Sequence, residues 1–246
     1  SLLSTQAERL ARHPRTFLTP GILAAYVALQ ARLQRPHSLP AILTLYAHKP
    51  GPPPTSTAPK PHAASSAIPP DTASAALNAA LATPNLPLAL AIVQSTVSTR
   101  AHRRARLVRY ALLPATLTLA TLPLATLGLA RAFAAAQTAL PPSTALGIAG
   151  AGLAAYVAAV FGLGYVALTT ANDHMERITW APGVPLWERW TREDERAALE
   201  RVAARWGFEA RARRGEEEGA AWEALRECVG RGGMVLDRVE LMEGME

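Results

Sequence analysis

The feature that most constrains this chain is a long segment with almost no charge. Between Tyr110 and Asn172 the only ionisable side chain, tyrosines apart, is that of Arg131. The segment holds two uncharged runs, residues 110–130 and 144–171. An α-helix rises about 1.5 Å per residue, so about 20 apolar residues cross the hydrocarbon core of a bilayer. The sequence therefore predicts a transmembrane helical hairpin, with a buried hairpin in a soluble core as the alternative.

The interior of this hairpin supplies a helix break and a row of small residues. The break is placed over residues 137–143, because two consecutive prolines there cannot continue a helix. In the second run small residues recur at every fourth position, at Gly150, Ala154, Ala158 and Gly162. Such a row lets helix backbones approach closely. We interpret it as a helix-packing face that contacts the first helix or a helix of a partner.

Basic residues immediately before the first run predict the orientation of the hairpin. They are Arg100, Arg103, Arg104, Arg106 and Arg109. Positive residues stay on the side of the membrane where synthesis occurs, so both termini are expected on that side. That side is the matrix in a mitochondrion and the cytoplasm in a bacterium. We interpret the arginines as contacts with lipid headgroups. Nucleic-acid phosphate is the alternative, although aromatic rings for stacking on bases are sparse here.

The residues before the hairpin predict two helix pairs separated by a proline-rich linker. The first pair covers residues 1–49 and the linker covers residues 50–71. The second pair, with the basic juxtamembrane segment, covers residues 72–109. Helices are expected over residues 20–34, 38–48, 72–82 and 85–99, with Thr19-Pro20 as a helix start.

Leu-Pro pairs at residues 39–40 and 86–87 recur 47 residues apart, within similar surroundings. The two helix pairs resemble the units of an α-solenoid, similar to tetratricopeptide or pentatricopeptide repeats. That resemblance implies a docking surface, because stacked helix pairs expose extended binding faces. A chance similarity within an Ala- and Leu-rich chain is the alternative.

The residues after the hairpin, 172–246, predict a small acidic and mainly α-helical region next to the membrane. One helix is expected to start at Thr191 and end at Gly207, with acids favoured in its first turn by the helix dipole. A second helix is expected from Glu216 to Gly230. The predicted fold is thus all-α, with a helical-repeat-like front half, a transmembrane hairpin and this C-terminal region.

The C-terminal region also contains candidate docking residues. Trp180, Trp187 and Trp190 either lie at headgroup level or pack under the helices. The final apolar segment is expected to form a short helix or a strand that docks on a partner, through Leu236 and Leu241. The first part of the chain is basic and the last part is acidic, which favours different partners for the two parts. Residues 1–172 have 13 Lys/Arg and two acids, and residues 173–246 have 12 Arg and 17 acids.

No pattern typical of catalytic or cofactor-binding residues is present. The sequence lacks a Walker A loop, a Rossmann fingerprint, a serine elbow and an HExxH motif. None of the six histidines shares helical spacing with another histidine and a supporting carboxylate. The single cysteine, Cys228, excludes an internal disulfide and a cysteine-cluster metal site. We therefore expect no enzymatic activity, no cofactor, no metal and no small-molecule substrate.

In general organisation the chain resembles fungal mitochondrial inner-membrane proteins that have a two-helix anchor and matrix-facing helical parts. The resemblance lies in Arg103 to Arg109 with the hairpin, and in residues 180–246. An Arg-rich, acid-poor start also fits a mitochondrial import history. The resemblance implies assembly of respiratory complexes or membrane tethering of mitochondrial gene expression. Three functions are expected: an anchor or assembly protein that binds protein partners and membrane lipids, a tether for RNA or the ribosome, or an accessory subunit of a respiratory membrane complex.

Overall fold

The computed structural model describes residues 2–49, 60–170 and 175–237, and these are mainly helical, as predicted. The chain forms two compact units. Residues 1–105 and 172–246 make up the first unit, here called the helical domain, and residues 106–171 make up the hairpin unit. The prediction for Leu241 lies outside the described residues.

The elements follow one another as a series of helices with two short strands. They are α1 Leu2–Arg12, α2 Pro20–Arg32, α3 Leu39–His48, α4 Pro70–Leu81, α5 Leu86–Ser95, α6 Arg100–Leu107, a π-helical turn Val108–Leu112, α7 Leu113–Ala136, α8 Pro142–Thr170, β1 Ile178–Trp180, α9 Leu186–Trp206, α10 Ala220–Arg231 and β2 Met234–Leu236. Short 3₁₀ turns lie at Pro36–Ser38, Ala64–Ser66 and Arg211–Arg213.

Local capping chemistry sets the starts of the front helices. The Thr19 hydroxyl accepts a hydrogen bond from the Ile22 amide at 3.3 Å, and Pro20 occupies the first position of α2, as predicted. The Asn85 side chain accepts a hydrogen bond from the Leu88 amide at 3.0 Å and caps α5. The two recurring Leu-Pro pairs lie at the first residues of α3 and α5.

The helix α1 was not predicted, because no apolar stripe marks its inner face. Its buried residues are Ser4 and Ala11, whereas its leucines point outward. Lys49 stabilises the C-terminal end of α1. Its ammonium group donates hydrogen bonds to the carbonyl oxygens of Ala11, His13 and Thr16 at 2.7–2.9 Å. A lysine some 36 residues away thus satisfies the terminal carbonyl groups that every helix leaves open.

The two front helix pairs stack as successive layers, which confirms the helical-repeat-like front half. The helix α2 packs on α4, and α3 packs on α5. The pair α9 and α10 then packs on α5 as a third layer. Fully buried side chains from all three layers form the core: Leu23, Val27, Leu39, Ile42, Leu43, Ile92, Leu199 and Leu225.

The C-terminal helices start at positions other than those predicted. The helix α9 begins at Leu186 after Pro185, so Thr191 lies inside it and donates its hydroxyl to the Glu188 carbonyl. The expectation of a cap at Thr191 is wrong because a proline-rich turn ends five residues earlier. Gly207 does follow the last residue of α9, as predicted.

The second C-terminal helix, α10, begins at Ala220 rather than at Glu216 and continues through Gly230 to Arg231. The preceding residue, Gly219, has a φ of 112°, a backbone conformation that residues with a Cβ rarely adopt. This glycine separates the acids at 216–218 from the helix, so they do not act as its first-turn acids.

The two strands pair with each other in the helical domain. They are antiparallel, with Ile178 opposite Leu236 and Trp180 opposite Met234. For the final apolar segment the sequence was compatible with either a short helix or a strand that docks on a partner. The structure has a strand at Met234–Leu236, and this strand pairs within the chain. Leu236 is half-buried against the core.

The hairpin unit has the break where the sequence predicts it. The helix α7 ends at Ala136 and α8 begins at Pro142. The two helices pack through their less exposed faces. On α7 this face is a four-residue row, and on α8 its residues recur at helical spacing: Thr118, Leu122, Thr126, Ala130 and Ala134 on α7, and Leu146, Ala149, Gly150, Leu153 and Val157 on α8. Threonine hydroxyls return to backbone carbonyl oxygens one turn earlier, as at Thr121 and Leu117 (2.9 Å). The packing is tightest near the break, where Ala130 and Ala145 are 1% and 0% exposed.

We expect Ala130→Leu to weaken the packing of α7 on α8. A larger side chain in place of a fully buried alanine overpacks the contact and typically destabilises the fold by about 1–3 kcal/mol. SDS titration of the protein in mild detergent, followed by circular dichroism, should show the loss of helicity at lower SDS. Ala132→Leu is the matched control, since Ala132 is exposed on the same helix. Equal transitions for both variants would contradict the packing row described for α7.

Candidate functional site

The basic segment that precedes the hairpin is partly bound to the C-terminal region within the helical domain. Nε2 of His102 lies 2.8 Å from Oδ2 of Asp194, and the His102 side chain is only 9% exposed. Nη2 of Arg103 lies 3.3 Å from Oε2 of Glu195. Two consecutive residues of α6 therefore hold two consecutive acids of α9, across 92 residues of sequence.

The predicted lipid or phosphate contacts divide into two groups. Arg103 is committed to Glu195, and Arg104 donates to the carbonyl oxygen of His62 at 2.9 Å. In the hairpin unit the Arg106 guanidinium lies 5.7 Å from the centre of the Tyr110 ring. Arg100 and Arg109 are exposed, and the structure gives them no hydrogen bond or ion pair to any of the residues it describes. The exposed charges at these two positions suit an external anion best.

A buried arginine, Arg177, joins the last strand to the region before α10. The Arg177 side chain is 2% exposed and forms a bidentate pair with Asp237, at 2.8 Å and 2.6 Å. The same guanidinium donates to Glu217 at 2.6 Å and to the Ala203 carbonyl at 3.2 Å. It also lies over the ring of Trp222, 5.1 Å from the ring centre. A cation this deeply buried is tolerated because all sides of it meet acceptors or an aromatic face.

A second buried arginine, Arg196, forms a hydrogen bond with the backbone of β1. Its side chain is fully buried and donates to Glu193 at 2.7 Å and to the Ile178 carbonyl at 3.2 Å. Glu200 accepts from the amides of Arg177 and Ile178, at 2.9 Å and 2.8 Å. Side chains of α9 thus satisfy backbone groups of β1 that a two-stranded sheet leaves unpaired.

The acids of α9 link these arginines to the basic segment. Glu195 accepts from Arg192 at 2.9 Å as well as from Arg103 at 3.3 Å. The sequence assigned the acids at 193–195 to a helix dipole, but α9 begins earlier and buries two of them, Glu193 and Glu195, in ion pairs. The opposite charges of the two chain ends were the available signal for this pairing. Local periodicity gave no indication of which residues meet.

Glu217 has a strongly lowered pKa although it is buried. Burial alone raises the pKa of this carboxyl group. The hydrogen bonds that it accepts from the Phe208 amide, the Arg177 guanidinium and the Gly215 amide outweigh burial and lower the pKa to about 2. Burial also acts against the charge of Arg177, but its bonds to Asp237 and Glu217 raise the pKa of the guanidinium. Both partners therefore stay ionised throughout the physiological range.

The three candidate tryptophans have different environments. Trp180 is 7% exposed and its Nε1 donates to Glu193 at 3.2 Å. Trp190 is also buried, whereas Trp187 is 46% exposed and stacks on Trp190 at a ring distance of 5.3 Å. Two of the three thus pack within the helical domain. Trp187 remains the one of the three that presents a large apolar surface.

The small-residue row of α8 lies mainly outside the contact with α7. Gly150 is half-buried at the edge of that contact, and Ala154, Ala158 and Gly162 are exposed. A Cβ added at Gly150 or Gly162 would meet no other group within 4 Å. The proposed contact with a partner's helix stays a prediction.

Ion pairs described above link segments of the helical domain to one another. Among the described residues no group of three His, Cys, Asp or Glu side chains is placed to hold a metal ion. Comparison of the chain with protein-family models, curated proteins and solved structures finds no match. Function is therefore inferred below from the arrangement of this chain's own residues.

We expect the C-terminal region to lose stability in acid, because unfolding returns Glu217 to an ordinary pKa. The pKa is about 2 in the folded protein, against 4.5 ordinarily. The ionised carboxylate thus stabilises the fold fully above about pH 5, and this contribution is lost as the pH falls towards about 2. The difference corresponds to on the order of 3 kcal/mol in the free energy of unfolding. Urea unfolding of the full chain in detergent measures it, since all five tryptophans lie within residues 180–222.

Glu217→Gln should flatten this pH dependence and lower the free energy of unfolding at neutral pH. Glu216→Gln is the control, since the Glu216 side chain is 60% exposed and pairs with an exposed arginine. A pH profile of Glu217→Gln identical to that of the original protein would show that this carboxylate does not govern acid stability.

We expect Arg109→Ala to reduce binding of anionic lipid more than Arg103→Ala does. An exposed arginine near a membrane surface contributes about 1 kcal/mol of attraction to anionic headgroups, whereas Arg103 is already neutralised by Glu195. Native mass spectrometry of gently extracted protein counts the phosphatidylglycerol molecules retained by each variant. Equal losses in the two variants would contradict this division of the basic segment.

Proposed function

We propose that the protein is a non-enzymatic membrane anchor and assembly scaffold whose helical domain binds protein partners at one face of the membrane. The observation that supports it most strongly is the pair of long apolar helices with outward-facing apolar side chains. Leu117, Leu124 and Leu163 are 65%, 72% and 73% exposed. Large apolar surfaces of this kind are unfavourable in water and are covered by lipid or by other helices.

The same-side topology is supported by the way the chain is divided. The residues before and after the hairpin belong to one compact domain. A hairpin whose two flanks fold together enters and leaves the membrane at the same face, with residues 137–141 at the other face. The arginines before α7 place the domain on the side of synthesis, by the positive-inside rule.

The membrane that we propose is the mitochondrial inner membrane, with the helical domain in the matrix. This assignment rests on the resemblance to fungal inner-membrane proteins and on the Arg-rich, acid-poor front segment. A bacterial plasma membrane with the domain in the cytoplasm is the alternative. Both assignments share the same hairpin and the same orientation rule.

A partner-binding role suits the domain because stacked helix pairs form extended surfaces. The open row around Ala154 and Ala158 favours a second candidate function, an accessory subunit that packs on transmembrane helices of a larger complex. A tether for RNA or the ribosome is a third candidate, and Arg100 and Arg109 are the exposed cations that it would use.

Affinity purification of the full chain after gentle detergent extraction tests the proposal, with alkaline carbonate extraction as its first step. We expect the protein to stay with the membrane in carbonate and to retain protein partners after RNase treatment. Release by carbonate would overturn anchoring. Partners that disappear after RNase treatment would replace the scaffold with the RNA tether.

A glycine substitution separates the scaffold from the accessory subunit. Gly162→Leu should abolish partner recovery if intramembrane packing is responsible, and should leave it unchanged if the helical domain binds the partner. Gly128→Leu on α7 is the matched control, because a Cβ there also meets no group within 4 Å.

A further inference from the structure

The helical domain contains a cavity that the scaffold function does not use. Its volume is about 240 Å³, and it lies between α3, the segment at residues 61–68, α5 and the start of α6. Its wall is mainly apolar and includes Leu43, Ala47, Pro61, Ile68 and Ala101. Leu43 and Ala101 are 1% and 2% exposed, so the wall belongs to the packed core.

Two hydroxyl groups in the wall of the cavity already donate hydrogen bonds to the protein. The Ser95 hydroxyl donates to the Ile92 carbonyl at 3.1 Å. The Thr99 hydroxyl donates to the Thr96 carbonyl at 2.8 Å and accepts from the His102 amide at 3.2 Å. The surface that the cavity offers to a ligand is mainly apolar, which favours a hydrocarbon chain.

The lining of the cavity includes basic side chains. Arg100, His48 and His62 line it, and no Asp or Glu does among the residues that the structure describes. Nδ1 of His48 donates to the Thr44 carbonyl oxygen at 2.8 Å, because a carbonyl oxygen can only accept. Arg100 is exposed and forms no hydrogen bond or ion pair with residues that the structure describes. An apolar interior with the Arg100 guanidinium in its lining is complementary to an amphiphile with an anionic head.

We propose that this cavity binds one acyl chain of an anionic amphiphile, with its carboxylate or phosphate paired to Arg100. The volume equals that of about eight water molecules at about 30 Å³ each, enough for a medium-length stretch of a single chain. The ligand is a free fatty acid or one chain of an anionic lipid, which share this chemistry. The site lies wholly within the helical domain, so the proposal does not depend on the hairpin spanning a bilayer.

Displacement of a fluorescent fatty acid from the full chain in phosphatidylcholine nanodiscs tests the proposal, with empty nanodiscs as the blank. Decanoate and decyl phosphate should displace the probe at concentrations about tenfold lower than decanol. Decyltrimethylammonium, which has the same chain and the opposite charge, should displace it most weakly. A preference for decanoate indicates a free fatty acid and a preference for decyl phosphate indicates a lipid headgroup, and both support the site.

Matched variants locate the binding. Ala47→Phe fills the cavity and should weaken probe binding at least about tenfold, whereas Ala41→Phe, on the exposed side of the same helix, should not. Arg100→Gln should weaken decanoate and decyl phosphate about tenfold and leave decanol unchanged. Arg35→Gln, at an exposed arginine that does not line the cavity, should leave the binding of all three unchanged. Circular dichroism and tryptophan fluorescence confirm folding, and Ala47→Leu replaces Ala47→Phe if the larger side chain unfolds the domain.

Three results would overturn the proposal. The first is displacement by decyltrimethylammonium as effective as by decanoate. The second is unchanged binding in the folded cavity-filling variant. The third is an equal loss from Arg100→Gln and Arg35→Gln, which would assign the effect to general surface charge. Carbonate extraction of the same variants reports separately on membrane anchoring, so failure of the cavity site and failure of the anchor are distinguishable.

Discussion

The packing of α9 and α10 on α5 is the contact on which the helical domain depends. Two stacked helix pairs bury α5 on one side only, and its remaining apolar residues need a cover. The cover comes from the part of the chain beyond the hairpin, with Leu199 and Leu225 fully buried in the same core as Ile92. The chain therefore leaves the stack after two layers and returns to add the third. Because the third layer belongs to the same domain as the first two, the hairpin begins and ends at that domain.

Buried ion pairs give the third layer its specific arrangement. Strands of three residues are too short to stabilise themselves, and side chains of α9 complete their hydrogen bonding. Arg177 lies so close to the chain after α9 that a Cβ on Gly207 would be 1.4 Å from its Nη1. Only glycine admits the guanidinium at that distance. Removing one partner of such a network leaves a buried charge unpaired, at a typical cost of about 3–5 kcal/mol.

The same network reaches the basic segment before the hairpin and divides its charges. His102 and Arg103 contact acids of α9, so these two side chains organise the domain itself. Arg100 and Arg109 stay exposed, and Arg100 lines an apolar cavity. A cluster that looks uniform in sequence thus contains residues with structural roles beside residues that are exposed. The two groups differ in whether a carboxylate from a distant part of the chain lies next to the side chain. The residues that neighbour each arginine in the sequence do not indicate this.

The sequence by itself determined the features that depend on neighbouring residues. Uncharged runs of sufficient length define α7 and α8, consecutive prolines define the break, and Thr19-Pro20 and Asn85 define helix starts. Each depends on chemistry within about one helical turn. The tertiary structure alone decided that α1 exists, that α9 begins at Leu186 and that its acids pair with arginines. It also decided the stacking of α9 and α10 on α5 and the cavity beside Arg100. These features join residues far apart in the sequence, such as His102 and Asp194, which are 92 positions apart. Local periodicity does not indicate such partners.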